Sequence, residues 1–161
     1  MGIVDLVIFD IAGTTAKDDG LVVRAFQEAM IAEGLERSSN QLKSMTDYVN
    51  ETMGQRKIDV FRTLCHGNQT QAERAHGRFI LNYNELVEQG ELKEIPGTND
   101  LFRSLRKMGV GIALTSGFPR RIVDSIISTL QWRGDIDLSV ASDEVESGRP
   151  APDLNLRAIS H

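Results

Sequence analysis

The chain has 161 residues, one cysteine and a formal net charge of −5 with acids and bases interleaved. That accommodates one ordinary domain and argues against a basic nucleic-acid surface and an internal disulfide. The start, "MGIVDLVIFD", carries Asp5, no basic run and too few apolar residues for a leader or a span, so no membrane partner is expected. Cys65 fits a cytoplasmic setting as a buried free thiol.

The run "DLVIFD" is apolar on both faces, as an interior strand of a parallel sheet would be, and "AGTT" ends it with turn chemistry. "DDGLVVRAFQEAMIAEG" reads as a helix capped near Asp18 or Asp19 and stopped by Gly34. From about 38 to 90 only helical patterns follow, among them "MGQRKIDVFRTL" and "AERAHGRFILNYNELVEQG". Pro96 and Gly97 open another helix and Gly109 closes it; the strand "VGIALTS" follows, and Pro119 begins a further helix. "DLSVASDEV" gives a third strand, "ESGRPAP" a rigid loop, and "DLNLRAISH" the start of a helix, with His161 frayed at its end. Alternating strands and helices predict an α/β fold with a parallel sheet. Its core spans residues 1–16 and 94–161, and residues 17–93 form an inserted all-helical unit.

Ligands of such sheets bind outside the carboxyl ends of the strands. Three ends converge there: Asp10 with "IAGTT", "TSGFP" at 115–119 and "SGRP" at 147–150. Any one stretch alone reads equally well as an ordinary turn. Together they describe a phosphate cradle holding a carboxylate: backbone N–H groups after Asp10 and around Ser116 and Gly117, a helix N-terminus behind the second turn, and the charge of Arg149. A carboxylate beside a phosphoryl group needs Mg²⁺ and a fixed cation to neutralise the pair, and with them Asp10 becomes a candidate nucleophile.

The stretch "MGQRKIDVFRTL" reads as a helix on whose projection Met53, Val60, Phe61 and Leu64 share a stripe, with Lys57 inside it. Taken alone, Lys57 fits a snorkelling side chain better than a reactive one. The functional alternative is a desolvated amine that attacks a carbonyl to form a Schiff base, with Gly54 letting a ligand come close. His66 and His76 lack metal-ligand spacing and read as surface or core residues; Trp132 and the phenylalanines read as packing, and Asp143 with Glu144 as an exposed acidic pair, with a contribution to the site from the third strand's loop as the alternative.

These residues carry a resemblance. From residue 3 to the end, the chain resembles the haloacid dehalogenase superfamily and, within it, the phosphonatase (phosphonoacetaldehyde hydrolase-like) branch. "FDIAGTT" is similar to that branch's first motif, where the first Asp attacks phosphorus and Ala stands in place of a second acid. "TSGFPR" resembles the second motif, "SGRPAPD" the third, with Arg149 where many members use Lys, and "MGQRKIDVFR" the cap segment carrying the Schiff-base lysine. The resemblance implies a Rossmann-like core with an inserted helical cap. It implies Asp10, Lys57 and Arg149 as catalytic residues, and Gly13, Thr14, Met53, Gly54, Ser116 and Gly117 as substrate contacts. Mg²⁺ would be held by Asp10 and the Ala12 carbonyl, and the substrate would be a small phosphonate or phosphorylated compound. Ala12 and Lys57 then explain each other: an iminium that accepts the electron pair of a breaking C–P bond makes an acid at position 12 dispensable.

Two departures accompany the resemblance. Val60 and Phe118 stand where phosphonatase has a His and a Tyr, which implies a related phosphonate or phosphorylated carbonyl compound as substrate, with a small-metabolite phosphomonoesterase as the alternative. The superfamily's fourth motif, a Gly-Asp turn with further acids, is expected after the helix near Asp153, and the sequence ends at His161. The chain is therefore read as a partial form lacking C-terminal core strands, with weakened Mg²⁺ binding. The first strand would keep an unpaired apolar edge, open to homodimer formation, and a catalytically incompetent chain is the reading from another class.

Overall fold

The structure, a computed structural model, describes residues 4–36 and 38–160; the frayed end read at His161 lies outside the described residues. In chain order the elements are β1 (Leu6–Asp10), β2 (Ala16–Lys17), α1 (Leu21–Ala32), α2 (Ser39–Glu51), α3 (Lys57–Leu64), α4 (Gln69–Glu88), β3 (Lys93–Glu94), α5 (Thr98–Lys107), β4 (Gly111–Thr115), α6 (Arg120–Thr129), β5 (Leu138–Val140) and α7 (Asp153–Ile159). The parallel sheet runs in the order β1-β4-β5, and its register sets Asp10 beside Thr115 and Thr115 beside Val140. The loops after all three strands therefore open at one edge.

Side chains alternate across this sheet as the pleat requires. Val7, Phe9, Ile112 and Leu114 join the main core with Phe102, Ile122 and Trp132, whereas Leu6, Ile8, Ala113 and Val140 pack with Leu154 and Ala158 of α7. The Trp132 indole N–H donates to Asn99 at 2.7 Å. The second face is thin, and Leu156 and Ile159 of α7 stay exposed. β1 pairs with β4 alone among the described residues, so it stands at the sheet's edge, half-buried along its length. No helix among the described residues is long and apolar enough to cross a membrane.

Helices α1, α3 and α4 share an aromatic cluster. Phe26 stacks on Phe61 at 4.4 Å between centroids and lies 4.6 Å from Phe79, and Tyr83 meets Phe118 at 4.9 Å. Such pairs contribute about 0.5–1.5 kcal/mol each beyond their burial. Phe118 comes from the loop after β4, so one apolar cluster ties the inserted helices to the strand ends. The segment that carries α1 to α4 begins and ends side by side, at the antiparallel pair β2–β3. Strands of two residues are too short for periodicity to reveal.

One expected element is corrected. α3 begins at Lys57, and Met53 to Arg56 form a turn in which Gly54 has φ +88°. Met53 therefore leaves the helical stripe and is exposed, while Lys57, Val60 and Phe61 occupy it as buried residues.

Candidate active site

Asp10 ends β1, and the turn after it is self-contained. The N–H groups of Thr14, Thr15 and Ala16 all donate to the Ile11 carbonyl at 2.9–3.2 Å, and Gly13, at φ +77°, donates to Ala16 O at 2.8 Å. Thr15 Oγ1 donates to Asp10 O at 3.0 Å, which fixes the backbone from which the carboxylate projects. The expected cradle is narrower as a result: the N–H groups of Gly13 and Thr14 are spent inside the turn, and Thr14 is exposed and does not line the cavity described below. Among the described residues, the N–H groups of Ala12 and Gly117 have no acceptor within the protein.

After β4, Ser116 N donates to Val140 O, and the Ser116 hydroxyl accepts from Phe118 N, both at 3.1 Å. Asp143 accepts from Arg120 N at 2.8 Å and Glu144 pairs with the Arg120 guanidinium, so this acidic pair secures the start of α6 and stays out of the site. From the third loop, Arg149 Nη1 lies 2.6 Å from Asp10 Oδ1, and its Nη2 donates to Thr115 Oγ1 at 2.9 Å and Thr115 O at 3.3 Å.

A cavity of about 240 Å³ opens between the strand ends and the inserted helices. Asp10, Ala12, Gly13, Met53, Gly54, Lys57, Ser116 and Gly117 line it, so eight of the residues singled out in the sequence come together. Arg149 joins through Asp10. Asp18, Val22 and Phe118 complete the wall. Asp18 reads in the sequence only as a helix cap; the N-cap position is Gly20, and Asp18, two residues earlier, accepts from Val22 N in the first turn of α1 at 3.1 Å. No pattern in the sequence signals that the same carboxylate also faces the cavity.

Lys57 is 4% exposed and its ammonium nitrogen lies 5.5 Å from the centre of the Phe118 ring. Its side chain is buried and lines the cavity, with no hydrogen bond or ion pair among the described residues, in place of the snorkelling position on the outer surface. Burial pulls its pKa from 10.5 down to about 8; Asp18 and then Asp10 oppose that shift, and Arg149 adds to it. Phe118 supplies only carbon to the cavity wall, and Val60 lies in the buried core and does not line the cavity. His76 is half-buried at the edge of the core, stacked on Phe79, and burial lowers its pKa to about 4.

No group of three or more His, Cys, Asp or Glu side chains gathers into a metal site among the described residues. Mg²⁺ needs less than that: one or two carboxylates suffice, with water and phosphate oxygens completing the octahedron. Asp10 Oδ2 and the Ala12 carbonyl, neither engaged in a hydrogen bond among the described residues, fit such a sparse donor set.

The family model described as haloacid dehalogenase-like hydrolase matches residues 4–161. The chain belongs to the haloacid dehalogenase-like hydrolases. Among curated members of this family, protein CbbY of Rhodobacter capsulatus is 29% identical over 94% of the chain and 69% of its own length. A phosphonoacetaldehyde hydrolase of Pseudomonas fluorescens is 31% identical over 91% of the chain and 56% of its length. The crystal structure of a phosphonoacetaldehyde hydrolase-like protein from Oleispira antarctica superposes with a TM-score of 0.77 at 24% identity, over 97% of the chain and 60% of that structure. The phosphonoacetaldehyde hydrolase relatives bear out the likeness to the phosphonatase-like branch. The chain spans 38–69% of the length of the first curated haloacid dehalogenase-like relatives it matches.

Proposed function

We propose that the chain carries the nucleophile and the amine of a Mg²⁺-dependent, phosphonatase-like hydrolase acting on a small phosphonate or phosphorylated carbonyl compound. The observation that supports this most is the Lys57 amine, buried and partly neutral, in the same cavity as Asp10. In this reading residues 17–93 act as a cap that closes Lys57 over the strand ends and excludes water.

The substrate binds with its phosphoryl oxygens toward Ser116, the free N–H groups of Ala12 and Gly117, and Arg149. The neutral amine of Lys57 adds to the carbonyl and water leaves, giving a protonated imine. Asp10 attacks phosphorus through the carboxylate oxygen that is not a metal donor. The C–P bond breaks, its electron pair enters the imine as an enamine, and the phosphoryl group stays on Asp10. Water then releases phosphate, and the enamine takes a proton at carbon before the imine is hydrolysed and Lys57 is restored. Mg²⁺, held by Asp10 and the Ala12 carbonyl, would supply charge neutralisation at the phosphoryl oxygens.

A phosphomonoesterase is the second reading. Val60 and Phe118 favour it, because neither offers a proton to the imine, and CbbY is among the relatives. Phosphate release in Mg²⁺ from 2-oxoalkylphosphonates and from simple phosphomonoesters separates the two. Release from the phosphonate that is lost in Lys57→Ala supports carbon–phosphorus cleavage; release from monoesters that survives Lys57→Ala contradicts it.

A further inference from the structure

The turn that precedes Lys57 is seated in the core loops by backbone contact. A Cβ on Gly117 would lie 2.4 Å from Gly54 O and 2.5 Å from Gln55 O, and a Cβ on Gly148 would lie 2.7 Å from Arg56 Cβ. Arg56 extends from this turn to the loop after β5, where its Nη2 donates to the Val145 carbonyl at 2.6 Å, across 89 residues of sequence. Its Nε is buried without a hydrogen-bond acceptor, 4.0 Å from Asp59 Oδ2. An arginine facing solvent would turn that donor to water; here the head is held inward by the reach to Val145.

Arg56 is the N-cap residue of α3 and Lys57 is the first residue of that helix. Consecutive Cα atoms are held about 3.8 Å apart, so whatever anchors Arg56 also anchors the base of the Lys57 side chain. The two side chains diverge, Arg56 into the core loops and Lys57 into the cavity. We propose that Arg56, seated against Gly148 and bonded to Val145 O, is the positioning residue that holds the Lys57 amine over Asp10. Its importance to catalysis rests on the reading of Lys57 given above; the docking is tested independently of any substrate.

The test is amine acylation by acetic anhydride at fixed pH, with modification of each lysine quantified by mass spectrometry in the folded protein. Exposed Lys43 and Lys107 serve as internal references. Removing one charge-assisted hydrogen bond by Arg56→Ala should raise labelling of Lys57 relative to these references by about tenfold. Arg56→Lys, which keeps one donor and the charge, should recover most of the protection. Arg62→Ala, which breaks the exposed Arg62–Asp59 pair on the same helix, should leave Lys57 labelling unchanged. If Arg56→Ala does not fold, Gly148→Ala tests the same seat and should raise Lys57 labelling similarly. Unchanged labelling in Arg56→Ala, no rescue by Arg56→Lys, or an equal rise in Arg62→Ala would overturn the proposal. Changed labelling in a protein that cleaves no phosphonate would leave Arg56 as the anchor and remove the catalytic reading.

Discussion

Arg149 and Asp10 lie 139 residues apart in sequence, yet Arg149 Nη1 is 2.6 Å from Asp10 Oδ1, and the other guanidinium nitrogen is committed to Thr115. The fork therefore fixes one carboxylate oxygen and leaves the other toward the cavity. A planar guanidinium does this and an ammonium does not. Arg149→Ala should weaken binding of inorganic phosphate in Mg²⁺ by about tenfold or more, with Arg149→Lys intermediate. Titration calorimetry reads this, and equal affinity in the three proteins would contradict the assigned role.

Lys57 should cost stability at neutral pH. Its pKa is about 8 in the folded chain against 10.5 for a free side chain, so the folded state binds fewer protons between these values and stability rises with pH across that window. Below it the amine is charged in both states and the full cost of burying the charge applies. Lys57→Met should accordingly stabilise the protein at about pH 7 by on the order of 3 kcal/mol, and the gain should fade between about pH 8 and 10.5. Urea unfolding at several pH values measures it. A gain independent of pH would mean that packing, and not charge, is responsible.

Gly117 has no room for a side chain, because a Cβ there would meet two backbone carbonyls at 2.4 and 2.5 Å. Gly117→Ala should cost about 1–3 kcal/mol and move the turn at 54–55 away from the strand ends. Hydrogen exchange at Gln55 and Arg56 should quicken, while exchange in α5 stays as it was. Native-like exchange at 55–56 would show that the close approach is not needed.

His76, with a pKa near 4 against 6.5 when free, contributes stability that is complete above about pH 6.5 and lost as pH falls toward 4. His76→Phe should keep the stack on Phe79 and shift acid unfolding to lower pH. An unchanged acid midpoint would assign the transition to carboxylates instead.

Much of this was legible in the residues. "LVIFD" and "GIALT" are apolar enough to be read as parallel strands, and pairing them places Asp10 beside Thr115. Lys57 stood out because an amine interrupts an apolar stripe. Other features were not legible, for physical reasons. The start of α3 depends on how Gly54 and Arg56 dock on the core, a tertiary effect invisible to a helical projection that ran on from Met53. The N–H groups of Gly13 and Thr14 looked available because a sequence does not say which carbonyl a tight turn will use; Ile11 and Ala16 claim them. Asp18 bonds the first turn of α1 and lines the cavity at once, and only the first role leaves a mark in the pattern. Arg56 gave no signal, since its partner is a main-chain carbonyl.

The central claim is that Lys57 forms an imine above Asp10, and reductive trapping addresses it most directly. The protein is incubated with Mg²⁺ and phosphonoacetaldehyde, reduced with borohydride and mapped by peptide mass spectrometry. The account predicts one secondary-amine adduct, on Lys57, that weakens as pH drops below about 8 and is absent from Lys57→Arg. Phosphonoacetaldehyde left without any adduct on Lys57, or adducts spread evenly over the exposed lysines, would contradict it.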